Sequence, residues 1–171
     1  MPYTDLLRTT VFLIGAEATA LGAITAIAAG RDGDATTALV AAVWWLIALL
    51  LGIYLGRPAR AADGVRDALA KARTATSLPE ESPARITAIR LWPIGLTALA
   101  AGVLGVIYPG VAAIGAGYAL LVALAMRTRE AAVLGIEHRD GVKFYVVPSS
   151  ALRPIELVRT PGLRSDRLHS F

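Results

Sequence analysis

The chain has 171 residues, of which 56% are hydrophobic and only 6% aromatic, and its mean hydropathy of +0.59 is too high for an ordinary soluble domain. Cysteine is absent, which excludes disulfides, thiol catalysis, iron–sulfur clusters and Cys-type zinc sites. The net charge is +4, but the basic residues flank apolar segments instead of clustering on a polar face, so they read as topology signals and not as a nucleic-acid patch.

A bilayer core of about 30 Å needs about 20 apolar residues in helical form. Four segments come close to that length: 9–29, 36–55, 91–108 and 111–126. The first runs into "AIAAG" at 26–30, which looks like a cleavage site. It is also longer than a signal-peptide core and is interrupted by Glu17, so we expect it to stay as a span.

Glu17 is the one acidic residue well inside a span, and no Lys or Arg lies inside any span to pair with it. At 1.5 Å per residue it lies about 12 Å from the inner end. Equal counting from the other helices reaches Thr97 and Tyr118, with Trp44 and Trp45 about a turn further out. A hydroxyl or an indole N–H can satisfy a carboxylate, so Glu17, Thr97, Tyr118 and Trp45 form a candidate intramembrane polar site. The expectation is a sealed, hydrogen-bonded one.

Small residues recur at helical spacing in three spans: Gly15, Thr19, Gly22 and Ala26; Gly95, Ala98, Gly102 and Gly105; Ala112, Gly115, Ala119 and Ala123. Such stripes let helix backbones approach closely, which matters where lipid removes the hydrophobic drive between helices.

Between spans two and three, "RAADGVRDALAKAR" puts Ala61, Val65, Ala68, Leu69 and Ala72 on one face, a weakly amphipathic helix expected on the inner leaflet. Pro58 separates it from span two. "TSLPEESPAR" is a linker. Ser82-Pro83 reads as an N-cap with Pro at the first helical position, so span three is expected to begin near Pro83 and to kink at Pro93.

The tail changes character. "VLGIEHRDGVKFYVVP" reads as two β-rich runs around Asp140-Gly141, a hairpin signal, with "PIELV" as a third short strand. A lone hairpin is marginal in water and must pack on something. Phe144, Tyr145 and Val146 are the expected contact residues for a partner or a second copy. Arg153 and Arg159, with Arg164 and Arg167, are candidates for anionic lipid headgroups. The final stretch, "TPGLRSDRLHSF", is expected to be mobile.

Basic residues concentrate on the N-terminal, middle-loop and C-terminal side. The positive-inside rule therefore predicts a multi-pass protein of the cell (plasma) membrane with both termini cytoplasmic. The predicted fold is an all-α integral membrane protein with four transmembrane helices and a small β-hairpin-containing tail. Its parts are a first transmembrane hairpin (1–56), an amphipathic loop (57–88), a second transmembrane hairpin (89–128) and a β-rich tail (129–171).

No Walker loop, GxSxG or post-strand GxGxxG occurs. His138 and His169 lie too far apart to suggest a metal pair. No catalytic residue, metal or cofactor is expected, and the expected partners are the lipid bilayer and a membrane protein or second copy, not nucleic acid. The leading expectation is a non-enzymatic accessory or scaffold protein that docks a partner through its loop and tail.

Four spans with "AEA" at 16–18 in the first resembles the small multidrug resistance transporters. The resemblance covers that short motif and the span count; the long middle loop and the tail depart from it. It implies the alternative function, a small proton-coupled transporter with Glu17 as the proton-carrying or cation-binding group.

Overall fold

A computed structural model describes residues 1–33, 35–74, 82–151 and 153–161, without the side chains of Asp32 and Asp67. Most of the expected linker and nearly all of the expected mobile end, with Arg164, Arg167 and His169, fall outside the described residues. The elements run α1 (Tyr3–Asp32), α2 (Ala35–Leu55), α3 (Pro58–Ala70), β1 (Arg73–Thr74), α4 (Pro83–Ile107), α5 (Pro109–Met126), α6 (Arg129–Asp140), β2 (Val142–Val146) and β3 (Leu157–Pro161).

Four of these helices, α1, α2, α4 and α5, are long and apolar enough to cross a membrane. Gly and Pro punctuate them. Gly33, at φ +62°, ends α1 in the left-handed conformation that glycine adopts without strain. Pro58, Pro83 and Pro109 open α3, α4 and α5 in their first turns, where a missing N–H is harmless. Pro93 lies inside α4. Ser82 takes the N-cap position of α4 but makes no side-chain cap bond; its carbonyl accepts from the Arg85 and Ile86 amides instead.

The bundle is built around α5, which packs against α1, α2 and α4, while α1 also packs on α4. The face of α5 that allows this is small: Ala112, Ala116, Ala119 and Ala123 are buried, as the sequence stripe predicts for three of them. The expected stripe on α1 is only in part its contact face: Gly22 lies against the Trp45 ring of α2. Ile14, Leu21 and Thr25 are buried, whereas Thr19 and Ala26 are exposed. Leu21 fills the space left by Gly115, where a Cβ would come within 2.9 Å of it.

A further small-residue face lies on α2, where Ala41, Ala48 and Gly52 are buried. A Cβ on Gly52 would meet Leu124 Cβ of α5 at 2.8 Å. The large apolar side chains of α2, including Leu39, Leu46 and Leu50, point outward. Lipid is as apolar as leucine, so helix contacts select small residues while bulky ones can face the bilayer.

At the end of the bundle that carries the N-terminus, the remaining elements form a cap. Its core joins Met1, Tyr3, Leu6 and Leu7 of the N-terminus to Val65 and Leu69 of α3, Ile86 and Leu91 of α4, Val133 of α6, and Phe144, Val146 and Leu157 of the sheet. The expected apolar face of α3 is thus correct in its residues, but it is turned toward this core and α6 and not outward toward a lipid leaflet. A buried core shields Val65 and Leu69 from water as well as a membrane surface would.

The tail also corrects one expectation. The first half of the anticipated hairpin is helical: α6 runs to Asp140, and Gly141 at φ +63° is its left-handed C-cap. Asp-Gly satisfies that demand for positive φ as readily as it would a hairpin turn. Ala132, Val133 and Ile136 supply a helical apolar face instead of a strand alternation. Strand β2 pairs antiparallel with β3, from Val142 opposite Pro161 to Val146 opposite Leu157. β1 adds in parallel to the far side of β3, giving the order β1-β3-β2.

The outer edge of β2 is closed by the chain itself. The Phe144 amide donates to Glu137 Oε1 at 2.9 Å, and the Val146 amide donates to the Met1 carbonyl at 2.9 Å. Pro2 bridges Tyr145. An unpaired edge would invite another strand, and these contacts remove it.

Replacing Phe144 by Ala should lower stability by about 3–5 kcal/mol, as for a buried aromatic. Backbone hydrogen exchange at residues 1–7 should rise with it, because the same core holds the N-terminus. Unchanged exchange there would show that the N-terminus is held independently of the tail.

Candidate functional site

The proposed polar constellation is not assembled. Glu17 is half-buried on α1, at the edge of the Ile14–Leu21–Thr25 stripe. It shares a helix face with Ile24, two turns on. Ile24 lies beside Gly102 of α4, where an added Cβ would be 3.9 Å from its Cδ1. This places Glu17 on the α4-facing flank of α1. It makes no hydrogen bond or ion pair with any described residue.

The donors expected to seal Glu17 are engaged elsewhere. Thr97 is exposed and its hydroxyl donates to the Ile94 carbonyl of its own helix at 2.9 Å. Tyr118 is also exposed, and its ring packs edge-on against Trp44 with centroids 5.2 Å apart. Trp45 donates its indole N–H to the Ala113 carbonyl at 2.9 Å. Depth counting along each helix could not supply the rotation of that helix about its axis. The expectation of a hydrogen-bonded seal around Glu17 is therefore corrected.

What the tryptophans do build is a joint between α2 and α5. Trp44 donates to the Ile114 carbonyl at 3.3 Å, next to the carbonyl that Trp45 uses. A helical carbonyl has a second lone pair free to accept such a bond. Gly117 opens the backbone for this contact, since any Cβ there would collide with the Trp44 indole. At the far end of the same seam, the Thr128 hydroxyl donates to the Gly56 carbonyl at 2.8 Å, satisfying an acceptor at the end of α2.

A second polar device was read from the sequence only as a flanking charge. Arg90, in α4, reaches the connection between β2 and β3. Its Nη1 donates to the Arg153 carbonyl at 2.8 Å, and its Nη2 to Ser149 Oγ at 2.5 Å and the Pro154 carbonyl at 3.2 Å. One planar guanidinium thus pins both arms of that connection, which a single ammonium would do less well. The only signal in the sequence was a basic residue at the start of an apolar helix, which orientation rules explain equally well.

Of the expected partner-contact residues, Phe144 and Val146 are buried in the chain's own core, and Tyr145 is half-buried. Alternation along β2 puts Phe144 and Val146 on the inward face, so those two are not available to a partner. Arg153 and Arg159 are exposed, the first in the β2–β3 connection and the second on β3. At the end of α6, Arg139 Nε donates to Asp140 Oδ1 at 2.8 Å. That hydrogen bond, helped by the Arg139 and Arg159 charges, holds the Asp140 carboxyl below the usual carboxylate range.

No known protein family, curated protein or solved structure matches the chain. The functional reading therefore rests on the chemistry of these sites.

Two substitutions test the devices described. Arg90→Lys should cost about 1.5–3 kcal/mol, as for loss of hydrogen bonds from a charged group, and should speed proteolysis within 147–156. Gly117→Ala should displace Trp44 from α5 and change the tryptophan emission in detergent. An unaltered spectrum would mean that the α2–α5 joint tolerates a methyl group there.

Proposed function

We propose that this protein is a non-enzymatic accessory or scaffold protein of the cell membrane, with its termini and cap in the cytoplasm, that docks a membrane-protein partner or a second copy through the cap. The observation that carries the reading is the cap itself. Elements from the N-terminus, the middle loop and the tail share one core with the start of the bundle, so the loop and tail form a platform tied to the spans. The positive-inside pattern supports the orientation.

The burial of Phe144 and Val146 moves the docking surface outward. Leu134 on α6 and Ile155 beside β3 are large apolar residues left exposed on the cap, and covering them with a partner would remove that apolar area from water. Exposed Arg153 and Arg159 add positive charge near Ile155, suited to an anionic bilayer surface or an acidic partner.

Leu134→Glu together with Ile155→Glu should abolish partner or self cross-links while leaving expression and thermal stability near wild type. If the double variant cross-links as the wild type does, the docking surface is elsewhere and this reading fails. Deleting the tail would be a poor test, because it removes Val133, Phe144, Val146 and Leu157 from the cap core.

One observation favours a second reading. Glu17 is a half-buried carboxylate in a span with no hydrogen-bond partner among the described residues, and such groups mark proton or ion pathways often enough to merit a test. As a small proton-coupled transporter, the protein in liposomes should lose proton-linked flux on Glu17→Gln while keeping its fold. Absence of any proton movement on addition of cationic substrates would rule this out.

A further inference from the structure

A groove of about 430 Å³ opens between the start of α1 and the junction of α5 with α6. It is lined by Arg8, Thr9, Val11 and Phe12 on one side and by Arg127 and Glu130 on the other. Neither the docking reading nor the transport reading uses it. We infer that this groove holds the phosphate of an anionic phospholipid, with the Arg8 and Arg127 guanidinium groups on the phosphodiester and Val11 and Phe12 against the start of an acyl chain.

Three features carry the assignment. The first is charge. Arg8 and Arg127 come from different helices and are both exposed, and neither forms an ion pair with a described residue. With Glu130 the lining is positive by one unit, which complements a phosphodiester monoanion. Guanidinium groups match phosphate oxygens in geometry as well as charge.

The second feature is position. Arg127 directly follows Met126, where α5 ends, and Arg8 lies in the opening turns of α1. Both lie where the apolar part of a span gives way to polar residues, the level of a lipid headgroup.

The third is the apolar wall. Phe12 is one helical turn beyond Arg8, on the same side of α1, and is 74% exposed. A soluble phosphate would find no use for that ring, whereas an acyl chain would cover it. The pairing of a polar floor with an apolar wall on the membrane side selects the lipid over a free anion.

The test is lipid retention by the full-length protein. Purified protein is exchanged from vesicles of phosphatidylcholine with and without phosphatidylglycerol, and bound lipids are counted by native mass spectrometry. Wild type should retain phosphatidylglycerol selectively. At about 1 kcal/mol per arginine near a membrane surface, Arg8→Gln with Arg127→Gln should weaken retention roughly thirtyfold. Phe12→Ser alone should also reduce it.

As a control, Arg66→Gln with Lys143→Gln removes the same charge from exposed positions outside the groove and should leave retention unchanged. Equal loss from that control pair would show general electrostatics and overturn the assignment. So would retention that survives Arg8→Gln with Arg127→Gln, or displacement of the lipid by inorganic phosphate with no effect of Phe12→Ser. Because all substituted side chains are exposed, melting temperatures should stay close to wild type. A variant that unfolds is replaced by Arg8→Lys with Arg127→Lys, which keeps the charge and should lose only part of the selectivity.

Discussion

The bundle depends on how closely other helices can approach α5. In lipid, separating two helices exposes no surface to water, so apolar area alone does not hold them together. What remains is dispersion at short range, and that needs small side chains. Ala112, Ala116, Gly117, Ala119 and Ala123 give α5 a nearly flat surface, and α1, α2 and α4 come to it. Most large apolar residues lie outside this seam; Ile14 and Leu21 of α1 are the ones that pack onto the small residues of α5. The result inverts the usual soluble pattern, in which bulky side chains fill the centre.

On such a surface a polar contact gains weight, because the alternative is an unsatisfied group in hydrocarbon. The adjacent indoles of Trp44 and Trp45 show how this is used. Each donates to a backbone carbonyl of α5 that already serves its own helix. Together with Thr128 and the Gly56 carbonyl, they key α2 to α5 at two levels and fix its register along the seam.

The cap obeys the opposite rule. It has water as its alternative, so the bulky residues are inside: Leu6, Leu7, Val65, Leu69, Ile86, Val133 and Phe144. Its sheet is too small to stand alone and is stabilised by what surrounds it. Met1 and Glu137 occupy the outward amides of β2, and Arg90 holds the β2–β3 connection. The first residues of the chain are thus tied to nearly the last described ones, and the cap sits on the spans as part of the same structure.

The sequence by itself determined the elements that follow from composition and local chemistry. The four spans, the opening of α4 at Pro83, the apolar face of α3 and a small sheet in the tail were all legible, because hydrophobic periodicity and proline act within a few residues of themselves. Only the tertiary structure decided what those elements meet. The residues 133–140 read from the sequence as a strand, and packing of Val133 and Ile136 into a shared core selected a helix instead. Phe144 and Val146 were legible as one face of a strand, but not whether that face turned inward or toward a partner. The depth of Glu17 could be counted along the chain; its surroundings depend on the rotation of α1 against α4 and α5, which no local pattern encodes. Arg90 looked like an orientation charge, because the backbone carbonyls it binds lie some sixty residues away in sequence and come within reach only once the cap has folded.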